Sequence, residues 1–258
     1  AASADPLTGS ETLTKTSAGS LYVGGSSGNT FKGDIVVDTD GGLLRVGAIP
    51  GAASGIGVAL PGMTSANTIT VKRGGNFQIE DNVNGTVSSA PNRFGTEGNR
   101  PSVALNGGTL TLNGANNAPT VPQRLNALAL GAGYSTVTAT RNSAGTPELA
   151  FANVSQAKGS HVNFTGTSLG AATNNVPRVR FAAPPALVGG GGGAGSTTMS
   201  IMPGARYGSE WVTHDAAAGI RSLTSAEYTV PANNDVNAAG ATDNVKLTST
   251  AQPGFPGL

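Results

Sequence analysis

The sequence predicts an all-β protein built as a repeat array, a β-solenoid, and three observations lead to that prediction. Glycine pairs recur every 33 residues, at 41–42, 74–75 and 107–108. After each pair, apolar residues occupy the same alternate positions, namely Leu44 and Val46, Phe77 and Ile79, and Leu110 and Leu112. The chain also holds 39 glycines and only 11% charged residues. Similar strand units at equal spacing are typical of arrays whose neighbouring units bury each other's apolar faces.

The first unit, residues 13–47, shows why each element is predicted. It ends in two short runs of alternating character, 34–38 and 43–47, with Gly41-Gly42 between them. Successive side chains of a strand point to opposite faces, so each run has one apolar and one polar face. Glycine adopts positive φ without steric cost, which suits the pair to a tight turn. The earliest strand is predicted at 21–23.

Two segments rich in Gly, Pro, Ser and Asn interrupt the repeat, at 48–67 and 81–101. Such composition is typical of loops, and the chain returns to a strand at 68–71. Loops at one repeat position usually line one face of an array. We therefore expect both segments to be excursions that decorate the same side.

Beyond the third glycine pair the period of 33 is lost, but strand-like runs continue. They are predicted at 125–130, 135–140, 148–152, 161–164 and 178–181. Five consecutive glycines at 189–193 indicate a hairpin or loop that leads to a further run at 199–202. The last part alternates less, with isolated strands predicted at 211–212 and 245–247.

These patterns divide the chain into two parts of one module. Residues 1–185 form the β-solenoid repeats, with a strict period over 34–112, and residues 186–258 form a Gly-rich loop and a less regular β region. A β-sandwich is the alternative fold, and the constant period disfavours it. Disorder of the whole chain is disfavoured by its low charge and its many apolar alternations.

Composition limits the classes of partner. With 15 Lys and Arg against 14 Asp and Glu and neither sign clustered in a run, nucleic acid is not an expected partner, because binding it needs a basic face. It contains no cysteine, which excludes disulfides and thiolate metal sites. No apolar run approaches the ~20 residues of a membrane helix, so this segment is not expected to insert into a membrane. The chain starts without a signal-peptide pattern, so we expect a mature chain or a piece of a longer one.

Two short motifs that occur in catalytic sites are present, but the helix or the partner motifs that they require are missing from the sequence. Gly24-Gly25-Ser26-Ser27-Gly28 matches the nucleophile elbow G-x-S-x-G, yet a β-run follows where a helix is required. Ser155 and Lys158 match S-x-x-K without its partner motifs, which indicates a solvated turn. Glu80, Asp81 and Arg73 could serve a polysaccharide lyase, but no second acidic cluster lies at a matching repeat offset. We assign no catalytic residue.

Metal and cofactor sites are not predicted either. Residues 38–42 begin like a calcium loop, but an EF-hand needs Glu at the twelfth position, where Ile49 stands. A turn with an aspartate bonded to its own backbone is the preferred interpretation. His161 and His214 are far apart in sequence, and 189–195 lacks the Lys-Ser/Thr of a phosphate loop.

Carbohydrate contacts have few candidates in the sequence. Sequons begin at Asn84, Asn153 and Asn163, and they matter only in a glycosylating host. Trp211 and Tyr207 could share an aromatic patch, although a core or cap position is favoured for the single Trp.

The opening stretch resembles the autotransporter-associated β-strand repeat of very long bacterial surface proteins. The residues that carry the resemblance are Leu13-Thr14-Lys15, 18–21, Asn29-Thr30-Phe31, Gly33 and 42–47. Ser17 and Phe31 stand where Gly and Tyr are common in that repeat. Segments at 187–192, 199–204 and 211–228 look like stretches that recur between such repeats in planctomycete-like bacteria. The resemblance implies a right-handed parallel β-helix that is exported to the cell surface or beyond.

We therefore expect a structural module of a secreted bacterial cell-surface fibre or filament, and not an enzyme. Stacked β-coils would assemble with copies of the chain or with neighbouring modules of the same long protein, because an uncapped end presents unpaired backbone groups. The alternative is an adhesin that binds cell-surface glycans or matrix through its long loops. No cofactor is expected.

Overall fold

A computed structural model describes residues 6–24, 29–47, 59–80, 93–114, 122–141, 145–173 and 175–248. These residues form sixteen β-strands and three short 3-10 helices, at Ser225–Glu227, Ala232–Asn234 and Val236–Ala238. The protein is all-β, as predicted, with two large sheets whose strands are mostly parallel.

The first sheet contains seven strands and the second contains nine. In order across the first sheet they are β1 (Leu13–Lys15), β3 (Ile35–Val37), β5 (Thr68–Lys72), β7 (Ser102–Asn106), β9 (Gln123–Leu130), β11 (Glu148–Gln156) and β13 (Arg178–Phe181). In order across the second they are β2 (Ser20–Gly24), β4 (Leu43–Gly47), β6 (Asn76–Glu80), β8 (Thr109–Asn113), β10 (Gly133–Thr140), β12 (Ser160–Thr165), β14 (Ala205–Tyr207), β15 (Glu210–Asp215) and β16 (Gly219–Ser222).

The chain alternates between the two sheets from β1 to β14. Each strand pairs in parallel with the strand two positions along, so that Leu44 lies beside Phe77 and Phe77 lies beside Leu110. Both steps are 33 residues long, which confirms the predicted repeat. The strand runs expected in the second half are also present, as β9 to β13.

Inward-facing side chains stack into apolar columns between the sheets. In the second sheet one column contains Leu44, Phe77, Leu110, Val137 and Phe164. In the first sheet a matching column contains Ile35, Ile69, Val103 and Leu128. All of these side chains are completely buried and belong to one hydrophobic core. Each such burial stabilises the fold by about 1.5–3 kcal/mol before chain entropy is subtracted.

The strict period ends because the connections shorten, while the stacking continues. Thr109 pairs with Thr136, and Thr136 with Asn163, which are steps of 27 residues. Tyr134 and Ser135 occupy the positions beside the third glycine pair, and the Ser135 hydroxyl accepts a hydrogen bond from the Gly107 amide at 3.1 Å. Tyr134 and Ser135 therefore stand where the three earlier repeats have a glycine pair.

Glycine at the first two corners meets a steric requirement. Gly42 has φ +65°, and a Cβ there would lie 2.3 Å from the Ala18 carbonyl oxygen. Gly74 has φ +76°, and a Cβ would lie 2.2 Å from the Asp40 carboxylate. The predicted tight turns are therefore confirmed, and they pass the chain from one sheet to the other.

The described ends of the two predicted excursions contain buried residues. Leu60, Met63 and Phe94 are completely buried, and Leu60 pairs with Phe94 in a parallel bridge. The parts 59–67 and 93–101 otherwise form turns without a regular strand, as expected of loops, but these apolar side chains anchor them to the core. Single apolar residues among Gly, Pro and Asn supply this packing, so the composition concealed it. Residues 48–58 and 81–92 lie outside the described residues.

The parallel pairing of the second sheet ends at β15. β14 pairs in parallel with β12, whereas β15 pairs antiparallel with both β14 and β16. The predicted strand at 211–212 falls within β15, but Val245 makes only an isolated bridge with Thr229. The chain around the five glycines is held by an antiparallel bridge between Val188 and Ile201, as a hairpin requires.

Leu110→Ala should test the column in the second sheet. Removing a fully buried leucine leaves a cavity between Phe77 and Val137, so the free energy of unfolding should fall by about 2–5 kcal/mol. Thr109→Ala is the matched control, because Thr109 is only half-buried and faces outward beside it, and it should cost less than about 1 kcal/mol. Urea unfolding measures both, and equal losses would contradict the assigned faces.

Candidate functional site

The two ends of the strand stack are the candidate sites for assembly. At one end, β1 and β2 are the outermost strands of their sheets. The Leu13 amide donates to the Asp34 carbonyl at 2.9 Å. Because backbone groups of a strand point alternately to its two sides, the amide and carbonyl of Thr14 face the free edge. Within the described part of the chain, this end therefore offers backbone groups to a further strand.

Lys15 closes an apolar column at this end. It occupies the inward position of β1 beside Val37, yet it carries a charge, and it is 8% exposed. Its ammonium donates to the Gly41 carbonyl at 2.8 Å and to the Ser17 carbonyl. An inward-pointing charge on a short edge strand discourages unspecific strand addition. The edge strand β1 therefore presents backbone groups to a further strand, while the inward charge of Lys15 limits which strands can pair with it.

The opposite end is covered by the hairpin of β15 and β16. Arg178 and Arg180 of β13 donate to the carbonyls of Ala217 and Ala216 in the hairpin turn, at 3.2 and 2.7 Å. A Cβ at Gly219 would lie 2.3 Å from the Val179 carbonyl, so the hairpin backbone contacts β13 directly. We call this the closed end because the hairpin covers β13, and β16 is the outermost strand of the second sheet there.

An ion pair fixes the segment after β16. The Arg221 guanidinium donates to both oxygens of the Glu227 carboxylate, at 2.8 and 2.7 Å. The amides of Gly195 and Thr224 donate to the same carboxylate, at 3.0 and 2.7 Å. Four donors on one buried carboxylate lower the pKa of Glu227 to about 2, and the Arg221 hydrogen bonds are the main cause.

Tyr228 connects the segment after β16 to β15. Its hydroxyl accepts a hydrogen bond from the Trp211 amide at 3.0 Å. Burial raises the pKa of Tyr228 to about 12. Next to it, the Lys246 ammonium holds the pKa of Glu210 below its ordinary value by hydrogen bonding. The segment after β16 is therefore tied to the hairpin by polar contacts as well as by packing.

A cleft of about 730 Å³ lies between this segment and the loop at 168–172. Its charged lining is already engaged: Arg221 binds Glu227, and Asp215 accepts from the amides of Ala217 and Ala218, both at 2.8 Å. These amides lower the pKa of Asp215. Among the described residues that line the cleft, there is no histidine to pair with a serine or threonine. The arrangement stabilises the closed end, and it offers no evident nucleophile and base.

Residues 38–42, which begin like a calcium loop, form the turn that the sequence analysis preferred. The Gly41 amide donates to the Asp38 carbonyl at 2.8 Å, and Asp40 has φ +54°. The Asp38 carboxylate accepts from the Thr39 amide and pairs with Lys72 at 3.0 Å. Hydrogen bonding to Lys72 lowers the pKa of Asp38. Ile49 lies outside the described residues.

The remaining candidates are not brought together. Ser155 lies in β11 and Lys158 in the next turn, both exposed, while Ser26 and Asp81 lie outside the described residues. His161 is exposed, whereas His214 accepts from the Phe181 amide at 3.4 Å. Burial lowers the pKa of His214.

Glu80 has a structural environment. It is 4% exposed and accepts from the side-chain amides of Gln78 and Asn113, at 2.9 and 2.8 Å, with Arg45 at 3.6 Å. Arg73, its suggested partner, is exposed at the turn before β6.

The candidate carbohydrate contacts are also dispersed. Trp211 is half-buried under the Arg206 guanidinium, which lies 5.3 Å from the ring centre, and the Tyr207 hydroxyl donates to the Gly166 carbonyl. Asn153 is exposed in β11 and Asn163 is half-buried in β12, while Asn84 lies outside the described residues.

Sequence reasoning missed the Arg221–Glu227 lock, although a signal was present. Thr224 and Glu227 have the Thr-x-x-Glu spacing of a capping box, in which the acidic side chain returns to the amide three residues earlier. That bond is present here. The bond between the Thr224 amide and the Glu227 carboxylate could therefore have been predicted from the sequence, whereas the contact with Arg221 could not.

Comparison with known proteins found no matching family model, no matching curated protein and no matching solved structure. No helix among the described residues is long and apolar enough to cross a membrane. In the same part of the chain, no group of three or more His, Asp or Glu side chains could hold a metal ion.

The Arg221–Glu227 lock should make stability depend on acid. Because the pKa of Glu227 falls from 4.5 to about 2 on folding, its contribution is complete above about pH 4.5 and disappears as the pH falls to about 2. The full contribution is about 3 kcal/mol.

Urea unfolding at neutral pH and near pH 2 tests this expectation. The double variant Arg221→Met/Glu227→Gln removes both charges together, so neither is left buried and unpaired. It should lose less stability on acidification than the wild type. An identical loss in both proteins would show that the lock does not carry the acid dependence.

Proposed function

We propose that this chain is a structural module of a secreted bacterial cell-surface fibre, in which the strands form the coils of a right-handed parallel β-helix. The sequence resemblance to the autotransporter-associated β-strand repeat supports this proposal. So does the alternation of the chain between two sheets with parallel pairing. The observation that carries it is the in-register stacking of completely buried apolar columns, which run from β4 to β12 in the second sheet and from β3 to β9 in the first.

The mechanism is mechanical. Backbone hydrogen bonds and inward columns join each coil to the next, so that every coil buries the apolar face of its neighbours. The seven parallel strands from β2 to β14 span six strand separations, or about 29 Å of rod. Adding coils lengthens such a rod without any change in its cross-section.

The two ends of the stack differ, and this difference decides where assembly is proposed. The hairpin of β15 and β16 covers β13 at one end, so a further coil is proposed to add at the edge of β1 and β2. Two copies of this chain would therefore join as a two-fold pair, edge to edge, because a head-to-tail filament needs both ends open. A longer fibre would use a coil of a neighbouring module at the same edge.

Thr14→Pro tests assembly at this edge. Proline lacks the amide N–H, but the Thr14 amide faces the free edge, so the substitution removes no hydrogen bond within the β1–β3 ladder. We expect the variant to keep the thermal stability of the wild type and to become monomeric in sedimentation velocity, while the wild type forms dimers.

Leu13→Pro is the matched control, because the Leu13 amide donates to Asp34 and its loss should lower the Tm. A wild type that remains monomeric as its concentration rises would contradict assembly at this edge. Long filaments in negative-stain electron microscopy would contradict the closed end.

The second candidate function is an adhesin that binds glycans through the segments 48–67 and 81–101. The Leu60–Phe94 bridge favours it, since the bridge fixes the returning ends of both segments side by side. Replacement of 82–91 by a short Gly-Ser linker would separate the two functions. Loss of glycan binding with dimers retained would favour the adhesin, and unchanged binding would contradict this route.

A further inference from the structure

A groove of about 390 Å³ runs across the outer face of the first sheet, beside β9, β11 and β13. Three arginines line it, namely Arg100, Arg124 and Arg180, together with the carboxylate of Glu148. Its floor is apolar and includes Ala150, with Leu125, Phe151 and Phe181 beneath. The groove is separate from the cleft at the closed end.

Strand register spaces the arginines along the stack. Arg124 and Arg180 both lie beside Ala150, one on each neighbouring strand. Their Cα atoms are therefore two strand separations apart, about 10 Å. The small side chain of Ala150 between them leaves the groove open. Arg100 lies close enough to Arg124 for the two charges to repel each other, which helps to lower the pKa of Arg100.

The charge balance of the groove is positive. Among the described residues that line it, three arginines stand against one carboxylate, that of Glu148, and Glu97 near Arg100 offsets part of the excess. Burial is the main cause that lowers the pKa of Arg100, and its buried Nε has no hydrogen-bond partner. The whole chain has a net charge of only +1, so this local excess is not a reflection of a basic protein.

Arg180 is held in place on one side. Its Nη2 donates to the Ala216 carbonyl at 2.7 Å, while its Nη1 lies 3.4 Å from Glu148 Oε2. A 3.4 Å contact is a weak hydrogen bond, and an incoming carboxylate could replace it. Guanidinium groups bind carboxylates through two parallel N–H donors, so a prearranged arginine suits such a ligand.

We propose that this groove binds an acidic polysaccharide, whose carboxylates repeat along the chain and contact the arginines of successive strands. The apolar floor suits the C–H faces of sugar rings. A single-stranded nucleic acid would need exposed aromatic rings on which its bases stack, and Phe151 and Phe181 are only 2% and 4% exposed. This inference goes beyond the proposed functions, because the groove lies mainly on β9, β11 and β13 and not on the loop segments, and it does not depend on assembly at β1.

Titration calorimetry with a short oligogalacturonate tests the proposal on the full chain. Arg124→Gln should weaken binding about tenfold, because one charged hydrogen-bonding group is lost. Arg180→Gln should weaken it similarly, and Glu148→Gln should strengthen it, since a competing carboxylate is removed. Arg73→Gln is the matched control, as it removes an exposed arginine away from the groove and should leave affinity unchanged.

Four results would overturn the proposal. Three of them are an absence of oligogalacturonate binding to the wild type, equal affinities of the wild type and Arg124→Gln, and binding of a single-stranded oligonucleotide of equal charge with the same affinity. Binding of the methyl-esterified oligomer with unchanged affinity would also overturn it, because that ligand lacks the carboxylates. Sedimentation velocity on the same samples shows whether dimers persist, so that failure of this site is distinguished from failure of assembly.

Discussion

In-register stacking of inward apolar side chains is the interaction on which the rest of the molecule depends. Leu44, Phe77 and Leu110 occupy equivalent positions on successive strands, so each is covered by the strand before and the strand after it. A slip of one residue would turn a whole column to solvent, so the columns fix the register. Once the register is fixed, outward positions also align, and the arginine groove follows from the same constraint as the core.

Columns of this kind must end somewhere, and the two ends do so differently. At β1 the inward position is taken by Lys15, whose ammonium finds carbonyls in place of water. At the other end the chain reverses into an antiparallel hairpin, and the buried Arg221–Glu227 pair locks the segment after β16. The first end limits which strand can be added, whereas at the second end the hairpin lies against β13. Because of this difference, assembly is proposed at the edge of β1 and β2.

The sequence predicted the all-β class, the 33-residue steps and the inward residues of β4, β6 and β8, because alternation and glycine spacing act locally. It did not predict that Leu60 and Phe94 lie in the core, because they are single apolar residues, each of which has its bridge partner more than thirty positions away. The shorter 27-residue steps were missed because Tyr134 and Ser135 stand where the earlier repeats have a glycine pair, so no glycine pair marks the new spacing. The arginine groove was not visible, since Arg124 and Arg180 become neighbours of Ala150 only through register.

The most direct test of the stacked register is a distance measurement along one outward row. Tyr22, Arg45, Gln78, Thr111, Thr138 and Thr165 lie side by side on successive strands of the second sheet. The chain has no cysteine, so pairs of spin labels can be placed uniquely at 22 and 165 and at 22 and 138. Pulsed electron paramagnetic resonance should give backbone separations of about 24 and about 19 Å, one strand separation apart. Broad distributions, or a longer distance for the 22–138 pair than for the 22–165 pair, would contradict the stacked register.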